Sequence, residues 1–320
     1  MDPSPTDRPP HAKPRHGLYR TLLARCAGLQ PVPTAVVHPC DAASIEGAAD
    51  AAAAGLIAPI LVGPEARIRA AAQAAGVDIS AFRLVPTPHS HAAAARAVAL
   101  VRSGEAAMLM KGALHTDELM HEVVNPETGL RTARRVSHAF LMDVPSYPRP
   151  LLITDAAINV NPTLEDKRDI VQNVIDLAHI LGVPKPRVAI LSAVETVTPK
   201  LPSTIDAAAL CKMADRGQIT GGLVDGPLAF DNAINREAAR EKAIVSPVAG
   251  RADILVVPDL EAGNMLVKQL TFLAGADAAG VVLGARAPIV LTSRADSDRA
   301  RVASCAIGVL MANHPRVLAT

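Results

Sequence analysis

The sequence predicts an α/β protein, a mainly parallel sheet flanked by helices. Three observations carry this. Short apolar runs alternate with longer alanine-rich or amphipathic stretches from Val32 to Leu291, the pattern of parallel strands joined by crossover helices. Half of the residues are hydrophobic, yet aromatics make up only 2 % and Trp is absent, so the core is aliphatic and suits helices packed tightly on a sheet. Glycines close the helical stretches, at Gly55, Gly76, Gly182 and Gly275.

Taken in order, Val32 to Val37 reads as a strand ended by His-Pro-Cys-Asp, and Ala42 to Ala54 as an alanine-rich helix. Pro59 to Val62 is a second strand and Glu65 to Ala75 a helix. Val85 marks a brief strand, His91 to Arg102 a helix, and Met108 to Met110 a strand that runs into Lys111-Gly112. Residues 131–142 are less regular, a basic turn followed by a strand from Ala139 to Met142. Leu151 to Thr154 is a strand. Asn161-Pro162 reads as a helix start, with Asn as the cap and Pro in the first turn. Ile170, Val171, Val174, Ala178 and Leu181 then recur at helical spacing. Strands at Arg187 to Leu191, Gly222 to Val224, Ile254 to Val257, Ala279 to Leu283 and Ile289 to Leu291 alternate with helices at Ile205 to Arg216 and Asn264 to Ala274.

A length of 320 residues allows two domains, each with its own core, and the three prolines between Val144 and Pro150 mark the best boundary. Residues 1–16 are rich in Pro, Arg and His and are expected to form a disordered tail, with no apolar centre of a signal peptide. No run of about eighteen apolar residues is present, so no membrane segment is expected. A net charge of +1 and the scarcity of aromatics argue against a nucleic-acid partner. Cys26, Cys40, Cys211 and Cys305 are scattered and are expected to be free thiols in a reducing cytoplasm. His115, His121, His138 and His179 lack metal-ligand spacing, and no metal is expected. The glycine fingerprints of nicotinamide and P-loop enzymes are absent.

The stretch around Ser293-Arg294 carries the most chemistry. It follows the last apolar run and enters a helix through Val302, Ala306 and Val309. A hydroxyl and free N–H groups at such a turn suit an anion, and a guanidinium adds a planar fork of donors. The same letters, Ser293 and Asp296, also spell a capping box, so both readings stand.

The run Ala287-Pro-Ile-Val-Leu-Thr-Ser293-Arg294-Ala-Asp296-Ser-Asp298-Arg299 resembles the C-terminal signature of the phosphate acetyltransferase and phosphate butyryltransferase family. Met110-Lys111-Gly112-Ala-Leu-His-Thr116 and Gly129-Leu-Arg131-Thr-Ala-Arg134-Arg135-Val-Ser137-His138 resemble earlier family motifs. So do Thr154-Asp155-Ala-Ala-Ile-Asn159-Val-Asn-Pro162, Gly226-Pro-Leu-Ala-Phe-Asp231 and Pro258-Asp-Leu-Glu261-Ala-Gly263-Asn264. The likeness spans residues 17–315.

The resemblance implies two α/β domains of the isocitrate/isopropylmalate dehydrogenase type, with the active site in the cleft between them. The first takes residues 17–147 plus 290–320, the second 148–289. It also implies a homodimer. The implied reaction is reversible acyl transfer between coenzyme A and inorganic phosphate, with coenzyme A as a substrate and no cofactor. The thiol, with a pKa of roughly 8.5, needs a base; the carbonyl oxygen needs donors; the phosphate needs cations.

The resemblance gives Ser293 the carbonyl oxygen or phosphate, and Arg294 the developing charge. In the acetyltransferase branch the base is an aspartate about two turns past that pair; seven residues on from Ser293 this chain has Ala300. Asp296, four residues before it, is the expected substitute if one helix carries both. Asp298 is rotated from it by roughly 200°. A capping role for Asp296 stays open, and the departure tilts the match toward the butyryltransferase branch.

Of Arg131, Arg134 and Arg135, the last matches a family arginine best and is expected to meet phosphate; a solvated basic face is the plain alternative. Lys111 and Gly112 either let a ligand approach the backbone or form an ordinary strand-end turn, and Thr116 closes that motif. Gly263-Asn264 is read as opening a helix that offers an anion site, with Lys268 one turn along, though Asn264 as a simple cap explains it too. Asp231 and Glu261 are expected to orient the arginines. Two other functions remain open: a non-catalytic acyl-CoA or phosphate-metabolite sensor, favoured by Ala300, and a dehydrogenase needing a nicotinamide pocket.

Overall fold

The computed structural model describes residues 17–291 and 296–314 of the chain. Helix α1 (Gly17–Cys26) precedes β1 (Val32–Val37), α2 (Ala42–Ala53), β2 (Ile57–Gly63), α3 (Glu65–Ala75), β3 (Arg83–Pro86), α4 (Ser90–Arg102), β4 (Met108–Lys111) and α5 (Thr116–Val123). Then come β5 (Ser137–Asp143), β6 (Leu151–Thr154), α6 (Leu164–Ile180), β7 (Arg187–Leu191), α7 (Pro202–Asp215), β8 (Leu223–Leu228), α8 (Phe230–Ile234) and α9 (Arg236–Glu241). The described chain closes with β9 (Ile254–Val256), α10 (Leu260–Phe272), β10 (Asp277–Leu283), β11 (Ile289–Val290) and α11 (Asp298–Ala312).

The strands pair into one eleven-stranded sheet in the order β3-β2-β1-β4-β11-β10-β5-β6-β9-β7-β8. It is mixed. β3, β2, β1, β4 and β11 are parallel to one another, as are β6, β9, β7 and β8. Between these two blocks β10 and β5 run antiparallel. The register sets Val37 beside Lys111 and Val290 beside Met110, so β1, β4 and β11 end side by side.

The apolar runs explain this placement. Every residue of β6 and of β9 is buried, as expected of strands covered on both faces. The main core gathers α2, α3, α6, α7 and α11 on the sheet; a second cluster lies under α4 and α5, and a third under α8, α9 and α10. Helix α11 is buried from Arg301 to Met311 and packs against α1, α2 and β10. Among the described residues no helix is long and apolar enough to cross a membrane.

Three helix caps differ from the sequence expectation, and in each a short polar side chain other than the expected one makes the cap. For α6 the cap is Thr163, not Asn161: Asp166 N–H donates to the Thr163 hydroxyl at 3.2 Å, and Thr163 N–H donates back to Asp166 Oδ2 at 3.0 Å. For α10 the cap is Asp259, which accepts from Ala262 N–H at 2.8 Å, so Asn264 sits inside the helix instead of opening it. For α11 the cap is Ser297, which accepts from Ala300 N–H at 3.2 Å. Asp296 therefore precedes the helix, and the shared helix face with position 300 that singled it out does not exist. Helices α1, α5, α8 and α9 were not expected; α8 and α9 have six residues or fewer, too short for a clear apolar period.

Candidate active site

An open cavity of about 930 Å³ lies where α5, residues 131–136, residues 157–160 and the start of α6 meet. Helix α5 contributes Thr116 and Met120 to its lining, Val124 follows just past its end, and Ile158, Val160 and Leu260 add further apolar surface. The charged lining is balanced: Arg131, Arg134, Arg135 and Arg168 against Asp117, Glu165, Asp166 and Asp169. An anion entering it therefore depends on how individual guanidinium groups are held, not on a general positive field.

Residues 131–135 are held by backbone and side-chain bonds. Arg131 pairs with Ala285 in an isolated antiparallel bridge. The Thr132 hydroxyl donates to Gly284 O at 2.8 Å, and Arg134 N–H donates to that hydroxyl at 3.1 Å. Arg135 is clamped at both ends of its backbone. Its N–H donates to Asp169 Oδ2 at 2.9 Å, and its carbonyl accepts from Asn173 Nδ2 at 2.9 Å.

The two adjacent arginines are treated differently. Arg134 Nη1 donates directly to Asp176 Oδ2 at 2.5 Å. Arg135 Nε donates to the neutral Asn159 Oδ1 at 2.7 Å, and Asp166 Oδ1 stands farther off, 3.5 Å from the same nitrogen. The Arg135 side chain is 55 % exposed and lines the cavity.

Behind Asn159 lies Asp155, the first residue past β6 and only 3 % exposed. It accepts from Ala157 N–H and Ile158 N–H, each at 3.0 Å, from Asn159 N–H at 3.2 Å, and from Asn159 Nδ2 at 2.6 Å. Burial raises the Asp155 carboxyl above its ordinary range, opposed by these four donors.

The structure brings together some of the residues expected from the sequence and not others. Thr116, the first residue of α5, and Arg135 line the cavity. Asn264 Nδ2 donates to Ala156 O at 3.3 Å, which ties α10 to the turn holding Asp155. Lys111 ends β4, and its Nζ donates to Gly112 O at 3.3 Å. Gly112 itself is packed against chain, not left open: a Cβ there would meet the carbonyl oxygens of Val37 and His38. Gly263 is likewise explained by packing, since a Cβ would stand 2.7 Å from Val257 Cγ2 and 2.8 Å from Ala156 Cβ.

Lys268 and Glu261 are exposed on α10 and do not line the cavity. Asp231 is also exposed and does not orient the arginines; it pairs with Lys242 Nζ at 3.3 Å, because α9 brings that lysine to α8. Asp296 is half-buried and follows directly on a stretch that is not described. Ser293 and Arg294 lie outside the described residues.

The carboxylates that do meet the arginines are Asp166, Asp169 and Asp176, all on α6. Sequence reasoning missed them, although their spacing of three and ten residues places them within roughly 80° of arc on one helix face. Among the described residues no group of three or more His, Cys, Asp or Glu is placed to hold a metal ion.

The family described as phosphate acetyl/butaryl transferase matches residues 88–309 of the chain. The chain belongs to this family. A phosphate acetyltransferase of Rhizobium meliloti is 65 % identical over 298 residues, covering 93 % of this chain and 94 % of the relative. A phosphate butyryltransferase of Clostridium acetobutylicum is 43 % identical over 274 residues, 86 % of this chain and 91 % of the relative. Among solved structures, a branched-chain phosphotransacylase from Enterococcus faecalis V583 superposes with a TM-score of 0.77 at 30 % identity, over 88 % of this chain and 99 % of the other. The family match covers the cavity's lining from Thr116 to Leu260 and the caps of α6, α10 and α11.

Proposed function

We infer that this chain is a phosphate acyltransferase, catalysing acyl-CoA + phosphate = acyl phosphate + CoA. The observation that carries the reading is Arg135: a half-exposed guanidinium, held by a neutral amide, on the wall of a cavity whose lining also includes Met120, Val124, Ile158, Val160 and Leu260. One part suits a phosphate, the other an acyl or pantetheine chain. The acetyltransferase relative is more similar than the butyryltransferase relative, 65 % against 43 % identity, which supports acetyl as the favoured group over the butyryl preference suggested by Ala300.

In the direction of acyl-CoA synthesis the thiol sulfur attacks the carbonyl carbon of the acyl phosphate. A carbon–sulfur bond forms, the carbon–oxygen bond to phosphate breaks, and the thiol proton passes to a base. Ser293 donates to the carbonyl oxygen, and Arg294 and Arg135 hold the phosphoryl charge. Asp296, next in chain to the Ser-Arg segment, is the proposed base. Thr116 and Asn264 border the substrates; Lys111 contributes its charge at the end of β4. Coenzyme A enters as a substrate, and no cofactor takes part.

We assign residues 17–147 and 290–320 to one domain and 148–289 to the other, supported by the two parallel strand blocks on either side of β10 and β5. A soluble cytoplasmic homodimer is the proposed working form. Ser293→Ala and Arg294→Ala are expected to fold normally and to lose arsenolysis of acetyl-CoA. Full rates in both variants would remove the proposed roles. Coenzyme A binding without arsenolysis in the unaltered protein would favour a sensor instead.

A further inference from the structure

Asn159 is 3 % exposed, and both the NH₂ group and the oxygen of its amide are engaged. Nδ2 donates to Val136 O at 2.9 Å and to Asp155 Oδ2 at 2.6 Å; Oδ1 accepts from Arg135 Nε at 2.7 Å. These partners leave one orientation. Two acceptors face the NH₂ group and one donor faces the oxygen, so a flipped amide would set like against like at all three contacts. Asp155 fixes that orientation from behind, and it is itself fixed by the backbone N–H groups of Ala157, Ile158 and Asn159.

The consequence concerns charge. A carboxylate in the place of Asn159 would hold the guanidinium equally well but would spend its charge, as Asp176 does for Arg134. A neutral amide holds Nε without adding a charge of its own, so the positive charge is left to the longer Asp166 ion pair and to a ligand. Among the described residues no hydrogen bond engages the Nη groups of Arg135. Asp166 Oδ1 makes a longer ion pair with Nε at 3.5 Å, while its Oδ2 accepts from Thr163 N–H and the Thr163 hydroxyl at 3.0 and 2.9 Å.

We propose that Asp155 and Asn159 are positioning residues of the acyl transfer: through the chain Asp155–Asn159–Arg135 Nε they aim the Arg135 guanidinium, still charged, at the phosphoryl group. The proposal rests on the reading of Arg135 as a phosphate-binding residue. Asp155 touches neither substrate nor the reacting atoms. Its carboxylate acts only by locking the amide, and the amide acts only by locking Nε.

The test is a double-mutant cycle read as KM for inorganic phosphate and KM for acetyl-CoA, measured separately. Asn159→Ala is expected to raise KM for phosphate about tenfold or more, the loss of one charge-assisted hydrogen bond, with KM for acetyl-CoA unchanged. Arg135→Lys keeps the charge but lacks Nε, and is expected to raise KM for phosphate by a similar factor. Because that side chain is half-exposed, the Lys variant threatens the fold least and decides the matter if Asn159→Ala does not fold. In the Arg135→Lys background, Asn159→Ala is expected to add no further change in KM for phosphate. An undiminished second effect there means that Asn159 acts structurally, and the proposal is overturned. Arg135→Lys with an unaltered KM for phosphate overturns it as well. Arg135→Gln separates the two layers: if it too leaves KM for phosphate unaltered, the fault lies in the reading of Arg135 as a phosphate ligand.

Discussion

Gly112 N–H donates to Val37 O at 2.9 Å, and that approach leaves no room for a side chain at position 112. A Cβ would also fall 2.8 Å from His38 O. Both obstacles are backbone, at the ends of strands fixed by the pairing of β1 with β4, so neither can swing aside. Gly112→Ala is expected to cost about 1–3 kcal/mol of stability through overpacking, measured by urea unfolding. A variant as stable as the parent would show that the strand ends are loose.

Two serines near the last helix are separable. Ser297 caps α11 by accepting from Ala300 N–H at 3.2 Å. Ser297→Ala is expected to lower stability by about 1 kcal/mol. Ser293→Ala is expected to leave the unfolding midpoint unchanged while abolishing turnover. Equal loss of stability in the two variants would contradict this division of labour.

His138 introduces a dependence on pH. Its ring is buried against Phe140, with ring centroids 4.4 Å apart, and burial pushes its pKa down from 6.5 to about 3. The unfolded chain takes up a proton near pH 6.5 that the folded chain refuses until about pH 3. The stabilisation is therefore complete above pH 6.5 and is lost as pH falls toward 3, with a slope of up to about 1.4 kcal/mol per pH unit. His138→Leu is expected to flatten the unfolding free energy across that window. An unchanged slope would mean that another group carries it.

The direct pair of Arg134 with Asp176 is half-exposed on both sides, 39 % and 33 %. Solvent screens such a pair, and Asp176→Asn is expected to change stability by less than about 1 kcal/mol. A loss of several kcal/mol in thermal or urea unfolding would show that the pair is part of the fold's core support.

Much of the fold was legible because buried strands announce themselves as apolar runs. Leu151–Thr154 and Arg187–Leu191 stand where the sequence set them, and Ile254 to Val257 ran only one residue past the strand. The short helices α8 and α9 were not, since two turns or fewer cannot establish a period. Caps misled: Asn161 and Asn264 each look like helix starts, but Thr163 and Asp259 make the hydrogen bonds. The antiparallel centre of the sheet left no local mark, because β5 and β10 pair across 134 positions of chain at Asp143 and Asp277.

The site was legible in its motifs more than in its partnerships. Arg135 and Thr116 line one cavity. That Arg135 is answered by Asn159, while Arg134 is answered by Asp176, depends on which face of α6 and which turn after β6 meet them in space. Asp231 pairs with Lys242, which stands just past the end of α9, a helix the sequence did not reveal.

The central claim is that this chain moves an acyl group between coenzyme A and phosphate. Release of the coenzyme A thiol from acetyl-, propionyl- and butyryl-CoA, with and without inorganic phosphate, tests it most directly. The expected result is thiol release that requires phosphate, fastest with acetyl-CoA. Thiol release that is absent, or that proceeds equally without phosphate, would contradict it.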